Sequence, residues 1–138
     1  MLAIQDAEHE ETAPEASRLV VSQLSCSLVG TTQTITILPE TLAHRAYEQT
    51  AVTEQFACNY GLNPAYREHI SRGGLKVVGI DAMGEVRLVE LVAHRFFIAT
   101  LFLPQLSSSA ARPHPLILAY LKAAQNFQAV QPRSAVKM

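Results

Sequence analysis

Arg95-Phe96-Phe97-Ile98-Ala99-Thr100-Leu101-Phe102-Leu103-Pro104-Gln105 is the stretch on which the fold of this chain turns. It is a short, almost unbroken apolar run that stops at Pro104. Its length is well below the ~18 residues that span a membrane. Its Phe and Ile content predicts a strand buried on both faces, in the middle of an α/β sheet. Open α/β folds bind ligands just past the C-terminal ends of such strands. Residues 103–105 therefore bear most of the functional reading.

Working outward, Leu75–Ile80 is apolar and β-branched and predicts a strand. Met83-Gly84 is a turn, and 85–91 sets Val86, Leu88 and Leu91 against Glu85, Arg87 and Glu90. That pattern predicts a hairpin partner with one wet face. Further upstream, Asn63-Pro64 predicts a helix start, with Asn63 as cap and the helix ending at Gly73-Gly74. Val52–Tyr60 reads as one strand stopped by Gly61. Thr41 caps a short helix over 42–48. Thr34–Leu38 alternates like a half-exposed strand, and it is expected to pair antiparallel with a strand beginning at Arg18–Val21 across a turn at Gly30. Downstream, Leu106–Arg112 is a loop and His114-Pro115 opens a last helix to about Phe127, with Ile117, Leu121 and Ala124 on one stripe. Strand pair, helix, strand, helix, hairpin, buried strand and helix make a mixed α/β sheet with helices on its faces. Residues 1–17 read as a linker or lead-in, 18–127 as the ordered unit and 128–138 as a disordered tail.

The 138 residues suffice for one domain with a real core. A hydrophobic content of 49% against 17% charged is a soluble globular balance. The net charge of -1, with no basic stripe, argues against nucleic acid as a partner. No membrane partner is expected. An acidic N-terminus ahead of Arg18 is unlike a secretory signal, so the expected compartment is the cytoplasm. Cys26 and Cys58 make no disulfide framework and read as free thiols. His9, His44 and His69 lack partners at metal-ligand spacing, so neither a metal nor a cofactor is expected. Tyr47, Tyr60, Tyr66 and Tyr120 read as core or boundary aromatics.

Three segments resemble, in order, the C-terminal half of a class I glutamine amidotransferase domain of the CTP synthase type. Glu54-Gln-Phe-Ala-Cys-Asn-Tyr-Gly-Leu-Asn63 lies where that family has a basic strand ending in Arg-Tyr-Glu-Val-Asn. Gly74-Leu-Lys-Val-Val-Gly79 is followed by Gly84-Glu-Val and Val89-Glu-Leu. His94 through Gln105, with Arg112-Pro-His-Pro-Leu116, is similar to the family's His-Pro-Phe-Phe, Thr-Gln-Phe-His-Pro-Glu and Arg-Pro-His-Pro-Leu. The chain also resembles a stand-alone group related to the CTP synthase C-terminal region.

The resemblance implies a partial flavodoxin-like fold, lacking its N-terminal strands and nucleophile elbow. It also implies a family role in glutamine hydrolysis, which supplies ammonia for pyrimidine nucleotide synthesis. In the family a cysteine on a tight elbow attacks the glutamine amide, a histidine moves the proton and a glutamate orients the histidine. Leu103 stands at the histidine position and has no group that exchanges a proton. Gln105 stands at the glutamate position and carries no charge. Asn59 stands where an arginine would grip the substrate carboxylate, and an amide cannot replace that bidentate contact. No Gly-x-Cys-x-Gly elbow is present. Loss of one triad member costs roughly four orders of magnitude in rate, so this chain is expected to be inactive alone.

Substitutes are unpromising. His94 is expected about 30 Å from Leu103, nine residues away along one strand at about 3.3 Å each. His114 reads as a packing residue at a helix start, and Cys26 and Cys58 as small, inert side chains. Three functions follow as alternatives: an inactive amidotransferase remnant, a binding or scaffold module using the altered pocket for glutamine or another small molecule, and one half of an assembly. The last implies a homodimer or a complementary N-terminal half covering exposed apolar edges.

Overall fold

The structure, a computed structural model, describes residues 4–130. In chain order the strands are β1 (Glu8–His9), β2 (Leu19–Gln23), β3 (Thr31–Ile37), β4 (Ala51–Phe56), β5 (Tyr60–Leu62), β6 (Leu75–Ile80), β7 (Val86–Leu91) and β8 (Ile98–Thr100). The helices are α1 (Leu42–Tyr47), α2 (Arg67–Arg72) and α3 (Pro115–Val130), with 3-10 turns at Pro64–Tyr66 and Pro104–Leu106. The strands form a five-stranded sheet in the order β4-β3-β6-β7-β8 and a three-stranded sheet in the order β1-β2-β5. The larger sheet is antiparallel throughout, whereas β1 and β2 are parallel. The architecture is α/β with a mixed strand content and helices packed on a curled sheet, as expected.

The central run behaves differently from its sequence reading. Only Ile98–Thr100 is strand, and it lies at the edge of the larger sheet rather than in its middle. Leu101 N still donates to Arg87 O at 3.0 Å, but Leu103 N donates to Gln55 O of β4 at 3.1 Å. The run therefore crosses from one edge of the sheet to the other and closes the curl. Phe102 fills the opening, fully buried and edge-on to Phe56 with ring centroids 5.9 Å apart. The apolarity of the run comes from plugging this opening, not from a strand covered on both faces. Ile35, Ile37, Val52, Phe56, Val78 and Leu88 complete the interior, with Ala43, Tyr47 and Leu116 from the helices.

Other expectations also shift. β2 and β3 do not pair; β2 adds to β5, and β3 lies between β4 and β6. The span 52–60 is two strands, and Gly61 lies inside β5 rather than ending it. A Cβ there would come within 2.8 Å of Leu24 Cδ2 and 3.2 Å of Leu101 Cδ2, so the smaller sheet approaches the run only over a glycine. The acidic lead-in contributes β1, with Glu8 N donating to Arg18 O at 3.0 Å. The predicted wet face of β7 is wrong in part, because Arg87 and Glu90 are buried. The Asn63 cap and Pro64 occur as predicted, but they open a 3-10 turn that leads into α2. α3 continues to Val130; the rest of the predicted tail, 131–138, lies outside the described residues.

Candidate functional site

The alternation Val52, Glu54, Phe56 sends three β4 side chains inward, and the middle one is a carboxylate. A buried carboxylate needs hydrogen-bond donors, and two helices supply them. α1 brings Tyr47, whose O–H donates to Glu54 Oε1 at 2.5 Å. The start of α3 brings His114, whose Nε2 lies 2.9 Å from the same oxygen. Leu116 N donates to His114 Nδ1 at 3.2 Å, which fixes the neutral tautomer with the proton on Nε2. His114 thus caps α3 and donates to Glu54, and both ring nitrogens are engaged. Burial, with the hydrogen bond to Glu54 and its charge, raises the Tyr47 hydroxyl well above the ordinary tyrosine range, so it stays a donor.

The helices are held in place by further buried charge. Glu90 Oε2 accepts from Leu42 N at 3.0 Å and Ala43 N at 3.3 Å, and Thr41 Oγ1 accepts from His44 N at 3.0 Å. The first turn of α1 is thereby satisfied, which sets the position of Tyr47. Arg87 donates through Nε and Nη2 to Asp81 Oδ2 at 3.1 and 2.8 Å. Asp81 Oδ1 accepts from Met83 N and Glu85 N and holds the β6–β7 turn. Among the described residues, two buried side-chain acceptors lack partners, Glu54 Oε2 and Gln33 Oε1. They belong to residues directly opposite each other across β3 and β4.

The residues singled out from sequence lie apart from this cluster. Leu103 is half-buried and precedes the 3-10 turn at Pro104–Leu106, while Gln105 is exposed. Asn59 is exposed between β4 and β5, and its carbonyl accepts from Leu24 N at 2.8 Å. Residues 101–103 run beside 55–58, with Cys58 Sγ donating to Leu101 O at 3.2 Å, so the structure places the 103 and 59 segments on neighbouring strips of chain. Cys26 is exposed and Cys58 half-buried. Among the described residues no histidine hydrogen-bonds to either sulfur. His94 is not on the strand of Leu103; it sits in the turn after β7, exposed, 3.0 Å from Phe96 O. A cleft of about 500 Å³ lies between α1 and α3, and neither Leu103, Gln105 nor Asn59 lines it.

No family model matches the sequence. Curated relatives are CTP synthases. That of Chlamydia trachomatis serovar L2 (strain 434/Bu) is 36% identical over 92 residues, covering 66% of this chain and 17% of that protein. That of Flavobacterium johnsoniae is 37% identical over 91 residues, covering 65% and 17%. The glutaminase domain of CTPS from Trypanosoma brucei, solved with acivicin bound, superposes with a TM-score of 0.82 at 26% identity. This match covers 91% of the present chain and 53% of that one. The aligned part of the chain is thus similar to the CTP synthases, and its fold is similar to that of the CTP synthase glutaminase domain. The chain spans about a sixth of the length of the CTP synthases and about half of the trypanosomal domain. The family resemblance read from the sequence is thus borne out, and so is the fold class.

Sequence reasoning missed the Glu54–Tyr47–His114 cluster. The signal for Glu54 was its even spacing with Val52 and Phe56, which marks an inward position. From sequence His114 reads as packing at a helix start; it is that, and a buried partner of Glu54 as well. Chemically the cluster is a closed set of two donors on one acceptor, sealed from solvent.

Proposed function

We propose that this chain is part of a glutaminase domain of the CTP synthase type and does not hydrolyse glutamine by itself. The family role is release of ammonia from glutamine for pyrimidine nucleotide synthesis, and kinship with the CTP synthases supports placing the chain in it. What supports the inactivity is the pair of residues at the positions that the family resemblance assigns to the histidine and the glutamate. Leu103 has no proton to exchange, and Gln105, exposed to water, carries no charge to orient a base. His114, whose nitrogens are both engaged, is no replacement, because a general base needs a free lone pair within reach of the thiol. Cys58 Sγ donates to the backbone carbonyl of Leu101, and among the described residues no histidine hydrogen-bonds to it. Asn59 in place of an arginine removes the charge-assisted hold on a substrate carboxylate.

The test is ammonia release from glutamine by the purified chain, compared with its Cys26→Ser and Cys58→Ser variants. We expect no release above the blank and no difference among the three. Turnover that disappears in either cysteine variant would refute the reading.

A further inference from the structure

Where α1 and α3 face each other, the residues between them are small. Ala119 and Ala123 lie one turn apart on α3, and Ala46 comes from α1. Side chains of that size leave the space between two helices unfilled. The cleft of about 500 Å³ that results is the size of an ordinary small-molecule site. Its floor is aliphatic, with Leu42 from α1 and Pro115 and Leu118 from the start of α3. Its rim is cationic: Arg45 comes from α1, Lys122 from α3 and Arg95 from the segment between β7 and β8. One carboxylate, Glu48, lines it too, so cations exceed carboxylates there in a chain whose net charge is -1. Among the described residues the ion pairs are Arg72–Glu68, Arg87–Asp81 and His114–Glu54, and the cleft cations belong to none of them. An exposed cation is ordinarily served by water alone. What sets these apart is their convergence on one apolar concavity.

The polar groups are gathered toward one end. Lys122 and Asn126 lie one turn apart on the cleft side of α3, and the Arg95 guanidinium lies 4.1 Å from the ring centre of Phe127, the next residue along. Stacking engages the flat face of a guanidinium and leaves its N–H edge for an acceptor. The aliphatic floor lies toward the start of the helix, and from Pro115 to Lys122 the helix rises about 10 Å. A ligand matched to this gradient has an unbranched apolar tail of about that length and an acidic head. We propose that the α1–α3 cleft binds a medium-chain aliphatic carboxylate. Its tail lies against Leu42, Ala46, Leu118 and Ala119, and its head is held by Lys122 and Arg95, with Arg45 adding charge from the α1 wall. A carboxylate suits these donors because it accepts two parallel bonds from a guanidinium and a further charge-assisted bond from an ammonium. The assignment stands whether or not the chain acts on glutamine.

Isothermal titration calorimetry on the full chain compares octanoate with uncharged octanol and with inorganic phosphate. Wild type is set against Ala119→Leu, which fills the floor, and against the double variant Arg95→Gln, Lys122→Gln, which removes the charges at the head. Circular dichroism melts establish that each variant folds, and they are expected to match wild type because all three side chains line an open cleft. We expect octanoate to bind in a 1:1 complex, octanol at least about tenfold more weakly, and phosphate not to compete. Each variant should weaken octanoate by about tenfold or more, the scale of one lost charge-assisted hydrogen bond or of one or two displaced methylenes. Equal affinity for octanol and octanoate, or equal binding by wild type and the double variant, overturns the assignment of the head. Unchanged binding by folded Ala119→Leu overturns the site by placing the tail elsewhere. Failure of octanoate to bind folded wild type at about millimolar concentration overturns the proposal outright. Phosphate that binds as tightly as octanoate also overturns it, by showing that the tail contributes nothing.

Discussion

Replacing Glu54 separates two accounts of the buried cluster, and the structure sets the sizes. In Glu54→Ala, the Tyr47 hydroxyl and His114 Nε2–H lose their shared acceptor inside the core. Each orphaned buried donor costs about 1–3 kcal/mol. Removing a buried charge returns part of that, since its desolvation cost goes too. The expected net loss is about 2–4 kcal/mol, a large fraction of the stability of a small domain. Glu54→Gln is a different perturbation. Its carbonyl oxygen still accepts from both donors. Its new NH₂ replaces Oε2, which has no partner, on the residue that lies directly across the β3–β4 ladder from Gln33, whose Oε1 also has none. One substitution thus supplies a donor within the residue pair that holds both orphaned acceptors. Glu54→Gln is expected to lie within about 1 kcal/mol of wild type, on either side of it. Urea unfolding measures this. With a slope of about 2 kcal/mol per molar, ordinary for a small protein, the alanine variant should shift the midpoint down by roughly 1–2 M and the glutamine variant by far less. If both variants fall by the same amount, the negative charge and not the acceptor geometry holds the cluster, and the reasoning is refuted.

Two further outcomes follow. Tyr47 is raised well above its ordinary value by burial, so its folded form keeps the proton while the unfolded chain releases it above about pH 10. Stability from this group is complete below that pH and falls above it by up to about 1.4 kcal/mol per pH unit, so Tyr47→Phe should flatten the alkaline limb of a urea-midpoint series from pH 8 to 11. An unchanged slope would remove Tyr47 from the core network. Gly79→Ala should destabilise by about 1–3 kcal/mol by overpacking. The added Cβ would come 2.8 Å from Leu88 Cβ and 3.1 Å from Ile35 Cγ2, and a melting point at the wild-type value would show that β6 and β7 relax freely around it.

The sequence was most legible where local chemistry decides the outcome. Thr41 caps α1, Asn63-Pro64 starts a helical turn and Gly84 makes the hairpin turn, because each depends on near neighbours alone. It was least legible where distant segments meet. The central run reads as a middle strand because apolarity on both faces is its only local signal. Closure of the curled sheet, with Leu103 N on Gln55 O, depends on residues 48 positions apart in sequence and leaves no periodic trace. Arg87 and Glu90 read as solvent-facing because charge is normally wet. Their partners, Asp81 and the α1 amides, become visible only when the chain is folded. The family was legible through motif order, and Leu103, Gln105 and Asn59 were placed by the same motifs. The Glu54–Tyr47–His114 cluster was hidden because its members come from three elements with no shared spacing.

The central claim is that no thiol in this chain attacks glutamine. Intact-mass measurement after incubation with excess glutamine and rapid acid quenching reads this directly, since a thioester intermediate adds a glutamyl group to a cysteine. The mass of the chain is predicted to be unchanged. A glutamyl adduct mapping to Cys58 or Cys26 would contradict the account.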